Sequence, residues 1–572
     1  MRNHRINDQE YFMNKSLSPF TYKIQLYVTF KDIFPEEQDI DLKELLSHYS
    51  RKSLINVALA LDTYYGKGEF ENCIHFFSEG NKWQYQEIMR RFRIFKSTSF
   101  YPNTDYFFCS FVSGLELLRY SYSMPEKTSD EEPYERFEWN LFRALLEINQ
   151  QTLCKFRAID DIKKHELVYL NNLCYVDLGK DLKELSIQQY VYSYHFFKYL
   201  KSSCPQNRNL LEAFETHYGT SWKKYVLTLI SARTISIKHA GRLKKTLECD
   251  VDNLMEKSVF EHLILDTSKE MKYASSSKED RDGNSDYRYF RESPVIDDGD
   301  SYILYSSPLF LGKVYNSLYF DLPMINKEIP EKKNRVGSIK DLITTDFIQN
   351  TLLYQYVQES IHDGYEMYTE ARMDVAYKKN ENELGAPDLV LISHHHAIVF
   401  ECKDIRLNGW VKEQKDYNLI IQELKEKILG SGSNDHKGVG QLTGHIKTIR
   451  NDVFHWAPIG SGKKVYPVLV LSDPNFNQEG LNGIIWESYH ESIKNKSIRQ
   501  LAANRPLIVM TPMTLIKHSS KFKQKGFAFY FEKYNRFMAK NRQYEFSFEH
   551  FMNSYGFDKK DLMTKIINEL RT

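Results

Sequence analysis

Net charge is almost absent from this 572-residue chain: 77 Lys and Arg stand against 76 Asp and Glu, leaving +1. That excludes a protein drawn to nucleic acid or an anionic membrane by its overall field, while leaving room for a local basic patch. Paired cysteines are missing as well. The seven thiols, Cys73, Cys109, Cys154, Cys174, Cys204, Cys249 and Cys402, contain no CxxC pair. This speaks against a zinc ribbon or a disulfide framework and suits reduced thiols in a cytoplasm. No run approaches the roughly 18 apolar residues of a membrane span. The opening MRNHRINDQE has no apolar segment of signal-peptide type. The expectation is a soluble, cytoplasmic protein with no membrane partner.

What is present is an ordinary globular composition, 42% hydrophobic and 27% charged, in a chain too long for one core. Residues 1–266 read as mainly helical. DLKELLSHYSRKSLINVALALDTYY, WQYQEIMRRFRIF and FEWNLFRALLEINQQTLCKF all space apolar residues by three and four. No catalytic motif falls there, so the region is assigned sensing, docking or self-association, with a homo-oligomer or a protein partner as the candidates. Residues 267–287, around SKEMKYASSSKEDRDGNSD, offer almost nothing to bury and read as a linker. The DRDGNSD within it fails the calcium-loop pattern, because Gly283 falls at the fourth position from Asp280 where the sixth is needed.

From residue 288 to 525 helices alternate with short apolar strands, including VYPVLVLS and RPLIVM. The alternation predicts an α/β layer domain around a central mixed sheet. Within it, PDLVLISHHHAIVFECKD parses as a β-hairpin with His394, His395 and His396 at the turn. Side chains alternate along a strand, so Glu401 and Lys403 share a face while Cys402 points away. Asp388 opens the neighbouring strand, beside Glu401. Two carboxylates suit Mg²⁺ or Mn²⁺, with the backbone carbonyl of Cys402 as a further oxygen ligand. Lys403 is placed to orient a nucleophile or to offset charge on a phosphate. The Cys402 thiol reads as a small core hydrophobe. Three adjacent imidazoles on one turn cannot easily aim at one tetrahedral ion, so the histidines are expected to be a solvated turn.

The PD of 387–388, the hairpin and the ECK of 401–403 resemble the PD-(D/E)xK nuclease superfamily, over about residues 340–515. The resemblance implies a restriction-endonuclease-like α/β/α fold that cuts phosphodiesters with a divalent metal. It makes Asp388 and Glu401 metal ligands and Lys403 the catalytic lysine. In GVGQLTGHIKTIR, Gln441 matches a helix glutamine of some branches, with His445 where a tyrosine usually follows. Many members also carry a Glu on the helix before the hairpin. Here its early turns offer Gln349, Asn350 and Gln355, and the acids in reach are Glu359, Glu366 and Glu370.

The resemblance favours DNA over RNA as substrate, and the large helical neighbour suggests a prokaryotic anti-phage effector by analogy. The alternative is a non-catalytic protein that keeps a nuclease-like fold to bind nucleic acid or a partner. Beyond the sheet, Glu491 to Thr572 holds 16 Lys and Arg against 7 Asp and Glu. Lys521, Lys523 and Lys525, among aromatics, are the candidate phosphate contacts, equally readable as the solvated face of a helix. Residues 526–572 are expected to be a basic helical extension. GSGKK at 460–464 lacks the first glycine and the hydroxyl residue of a phosphate loop and is set aside.

Overall fold

The computed structural model describes residues 26–64, 69–99, 106–109, 111–153, 163, 166, 182–238, 242–244, 256–266, 268, 287–376, 385–414, 416–430, 437–473, 476, 479–496, 498, 504–541, 546–557 and 559–572. The expected linker at 267–287 lies outside them apart from Ser268 and Tyr287. Residues 28–148 form a helical unit whose core is dense in aromatics: Phe70, Phe92, Tyr106 and Phe142 are all buried. Helices Leu182–Ser202, Pro205–Tyr218 and Trp222–Lys238 follow. The middle one starts on Pro205, whose fixed φ suits a first turn. It ends on Gly219 at φ 65, where the glycine N–H reaches back to the carbonyls of Glu215 and Thr216.

A small antiparallel sheet joins Arg242–Lys244, Ser301–Leu304 and Val295–Asp297, with Ser301–Leu304 in the middle. The helical reading of this stretch did not anticipate it.

The larger sheet has five strands: β1 (Glu366–Thr369), β2 (Leu389–Ile392), β3 (His396–Lys403), β4 (Lys464–Leu471) and β5 (Ile508–Met510). Their spatial order is β5-β4-β3-β2-β1. The pairs β1–β2 and β2–β3 are antiparallel, while β3–β4 and β4–β5 are parallel, so the sheet is mixed as expected. Strands β2 to β5 are nearly unbroken Val, Ile and Leu because both of their faces are covered.

One face carries Leu389, Leu391, Ile398, Phe400, Val468 and Val470 into the largest core. That core also takes α1, which runs from a π-wound stretch (Leu342–Leu353) into an α-helix (Tyr354–Ser360), and α3 (Pro512–Lys525). The other face carries Val390, Ile392, Ala397, Val399 and Leu469 against α2 (Gly438–Arg450) and the helix Leu481–Asn495.

The largest core extends from Leu185 to Leu570. Helices before residue 240 therefore share it with the sheet, and apolar packing does not stop at the expected boundary between 266 and 288. Lys517 ties the same parts together electrostatically. Its ammonium is buried and stands 2.6 Å from Glu184 and 2.5 Å from Glu549.

Candidate active site

The site lies where β2 begins and β3 ends. Register pairs Leu389 with Phe400 and Thr369 with Leu389. One residue further, Asp388 falls opposite Glu401 on one side and Glu370 on the other, and the Glu370 N–H donates to the Asp388 carbonyl at 3.1 Å. Three carboxylates thus line up across adjacent strand ends. A strand's strict period of two puts Asp388 and Glu401 on the face shared by Val390 and Val399, and sends Cys402 into the opposite core.

Asp388 is buried and well held. Its Oδ1 accepts from Gln349 Nε2 at 3.0 Å, and its Oδ2 accepts the Cys402 N–H at 2.5 Å. The Tyr354 hydroxyl donates to its carbonyl at 3.0 Å. Burial holds the Asp388 carboxyl above its ordinary value, against the pull of Lys403, the Cys402 N–H and Gln349.

Glu401 is fully buried, and burial followed by the charge of Asp388 holds its carboxyl well above the usual range. Lys403 Nζ lies 2.5 Å from Glu401 Oε1, yet neither Glu401 oxygen accepts a hydrogen bond from a described residue. The two groups meet by charge and proximity rather than through a directed bond. Burial works to lower the Lys403 ammonium, but Glu401 and Asp388 hold it above its ordinary value. Lys403 is the most open of the three, with 27% of its side chain exposed against none for Glu401.

The backbone of Cys402 also faces the site. Lys403 C=O turns toward β4, accepting from the Ser472 N–H at 3.1 Å. Backbone groups alternate sides along a strand, so Cys402 C=O turns toward β2 and Asp388, the direction in which its N–H already donates.

The helix before the hairpin contributes Gln349 at the place where an acid was sought. Its Nε2 also donates to Glu370 Oε2 at 3.0 Å. Gln349 falls in the π-wound part of α1, where the N–H of Tyr354 reaches the Gln349 carbonyl five residues back. π-turns of this kind recur at functional sites because they re-aim side chains. Of the three acids weighed, only Glu370 joins the cluster. Burial, then Asp388, raises its carboxyl. Glu359 is exposed and accepts from Gln355, and Glu366 is exposed and pairs with Arg372.

On the other face, α2 is pressed close by Gly438. At φ +49, a Cβ there would stand 2.1 Å from the Ile428 carbonyl oxygen, so only glycine fits. Gln441 sits half-buried on this helix, and no side-chain hydrogen bond joins it to Asp388, Glu401 or Lys403. His445, one turn on, is buried with both ring nitrogens lacking a hydrogen-bond partner among the described residues. Burial, helped by the charges of Lys403 and Lys496, brings its imidazole down to about 3, so it is neutral.

The remaining candidates lie elsewhere. His394, His395 and His396 form the hairpin turn at the opposite end of β3, pinned by Lys463 Nζ on the carbonyls of Ser393 and His394. Lys521, Lys523 and Lys525 end α3 near the same far end: the Lys523 carbonyl contacts His362 Nδ1 at 2.9 Å, and Tyr365, three residues on, contacts His396 at 3.2 Å. Lys523 and Lys525 are exposed and Lys521 is half-buried. The structure does not bring these lysines to the carboxylates.

Among the described residues, no group of three or more His, Cys, Asp and Glu side chains is arranged to hold a metal ion. A hard divalent cation asks for less, since one or two carboxylates complete their shell with water and substrate oxygens. The donors present fit that demand. Glu401 keeps a buried carboxylate without a hydrogen bond, Asp388 stands opposite, and the Cys402 carbonyl faces them.

Among the described residues no helix is long and apolar enough to cross a membrane, and the described cysteines Cys73, Cys109, Cys204 and Cys402 are free thiols. No curated protein and no solved structure shows a significant match to the chain. Residues 348–472, the stretch that carries Gln349, Glu370, Asp388, Glu401, Lys403 and Gln441, match the family model of the nuclease-related domain, so this part of the chain is nuclease-like.

Proposed function

We propose that the protein is a divalent-metal-dependent nuclease of the PD-(D/E)xK type, built on a restriction-endonuclease-like α/β/α domain and cutting DNA in preference to RNA. One observation carries the reading. Glu401 is a fully buried carboxylate with no hydrogen bond to either oxygen, set opposite Asp388 and against Lys403 at a sheet edge. Keeping such a group costs stability, and a structural salt bridge would have satisfied it.

Asp388, Glu401 and the Cys402 carbonyl are the groups to hold Mg²⁺ or Mn²⁺. When bound, such an ion supplies charge neutralisation at the phosphate and acidifies a water. The protein's own groups divide the remaining work. Gln349 keeps Asp388 in one rotamer. Lys403, held protonated by its neighbours, donates a hydrogen bond and positive charge to a phosphate oxygen or an attacking water; it does not act as the base. Gln441 is placed to bond a substrate or water on the α2 side. The helical residues before 266 are assigned to sensing, docking or self-association in the cytoplasm, in the manner of an anti-phage effector.

A second reading, a nuclease-like fold kept only for binding, has one observation behind it. Both Asp388 oxygens are engaged by protein donors, and an amide occupies the helix position where a further acid would stand. The deciding experiment incubates purified protein with plasmid, linear duplex, single strands and RNA in Mg²⁺, Mn²⁺ or EDTA. Cleavage that EDTA abolishes is the expected result. No cleavage in any arm, together with no heat of Mn²⁺ binding, would leave the binding-only reading.

A further inference from the structure

We infer that Arg406, Tyr319 and Phe320 form the substrate platform of this site: Arg406 takes a backbone phosphate and the Phe320 ring takes an unstacked base, which makes the substrate single-stranded nucleic acid or an unpaired end. The inference rests on the nuclease reading above and specifies its substrate class.

Arg406 follows Lys403 by three residues on the segment leaving β3. That segment is fixed at both ends. Ser472 bonds the Lys403 carbonyl, Ile405 is buried, and Lys427 Nζ donates to the Arg406 carbonyl at 2.7 Å. The Arg406 guanidinium stacks over the Tyr319 ring, 3.8 Å from its centroid, and stands 5.6 Å from that of Phe320. No carboxylate pairs with it among the described residues, and its Nε is sequestered without an acceptor. A guanidinium held flat by an aromatic face, with its hydrogen-bonding fork unused, is preorganised for a phosphate or carboxylate. Beside a phosphodiester-cutting site, phosphate is the ligand that fits.

The neighbouring surface fits a base. Phe320 is 56% exposed, and so is Met324 one turn along the helix Leu318–Glu328. Side chains four apart share a helix face, so they form one apolar step beside a cation. An exposed ring next to a phosphate-seeking Arg is how single strands are held without sequence readout. Duplex DNA keeps its bases stacked and has no free π-face to offer Phe320.

The test compares wild-type protein with Phe320→Ala and Arg406→Met, titrated in EDTA into a fluorescein-labelled mixed-sequence DNA strand of about twenty nucleotides, the RNA of the same sequence, and the corresponding duplex. Anisotropy reads binding, and thermal unfolding checks each variant's fold. The expected result is tighter wild-type binding to the single strands than to duplex, with each variant losing about tenfold on the strands and much less on the duplex. Phe320→Ala removes an exposed ring, so it decides the matter even if Arg406→Met does not fold. Strand binding unchanged in Phe320→Ala overturns the platform and leaves the nuclease reading standing. An equal loss on strand and duplex also overturns it, because the ring would then support structure rather than stack a base. Wild-type protein that binds none of the probes overturns both.

Discussion

Gln349 holds Asp388 from a helix that belongs to the opposite side of the sheet, its amide nitrogen 3.0 Å from Asp388 Oδ1 and equally close to Glu370. The amide separates two carboxyl groups that would otherwise repel. Gln349→Glu is therefore expected to destabilise the metal-free protein by about 1–3 kcal/mol, the usual cost of removing a buried donor. Mn²⁺ should return more stability to this variant than to wild type, because the site gains a hard ligand. Thermal unfolding with and without Mn²⁺ checks both statements, and an unchanged melting temperature in each condition would count against the metal site.

Asp388→Ala, Glu401→Ala and Lys403→Ala are each expected to abolish cleavage while the protein remains folded. The first two lose ligands, whereas the third loses a charge used mainly in the transition state. Calorimetry separates them: Lys403→Ala should still bind Mn²⁺, and the double carboxylate variant should not. Near wild-type cleavage by all three would sink the assignment.

Glu401 also sets a pH dependence. Burial raises its carboxyl well above the ordinary glutamate value of about 4.3. The folded state then holds a proton that the unfolded state has released, so stability is full below that value and falls as pH rises above it. In EDTA, wild type should lose melting temperature between mildly acidic and neutral pH. Glu401→Gln should flatten that dependence and melt higher than wild type at neutral pH. A steeper loss in the variant would show that Glu401 is ionised and satisfied in the fold.

Lys521, Lys523 and Lys525 lie at the hairpin-turn end of the sheet, away from the carboxylates. Strand β3 spans eight residues, so the separation is on the order of 25 Å, or roughly eight nucleotides of stacked strand. Replacing all three lysines with Gln should leave short substrates bound as before. It should weaken substrates longer than that span and flatten their salt dependence by about 0.9 log unit per log salt for each lost duplex phosphate contact. An equal loss on short and long substrates would show that the lysines act near the carboxylates.

A fragment starting at residue 288 is expected not to fold. It discards buried Phe196, Phe197, Phe214 and Tyr225, which share a core with the sheet, and removes Glu184 from the buried ammonium of Lys517. Removing one partner of a buried ion pair alone costs about 3–5 kcal/mol. Circular dichroism and limited proteolysis of the fragment, against one beginning before Leu182, measure this directly.

The hairpin, the shared face of Glu401 and Lys403, the inward Cys402 and the mixed five-stranded sheet were all readable from residues in order. Strand alternation has a period of two and the apolar runs are short and bounded, so local pattern suffices to place them. Gln349 could be named from the sequence only as a missing acid. Its role depends on a π-wound stretch that turns it across a sheet edge, and on Glu370 arriving from a different strand. The position of the C-terminal lysines was equally out of reach: their charge is visible in composition, but the end of the sheet they occupy depends on the direction in which α3 runs back from β5. The helices of 182–238 looked like part of a separate region because an amphipathic pattern records that a face is buried and not what buries it. Which surfaces meet is decided by packing between residues hundreds of positions apart, as between Glu184 and Lys517, and that information exists only in the folded chain.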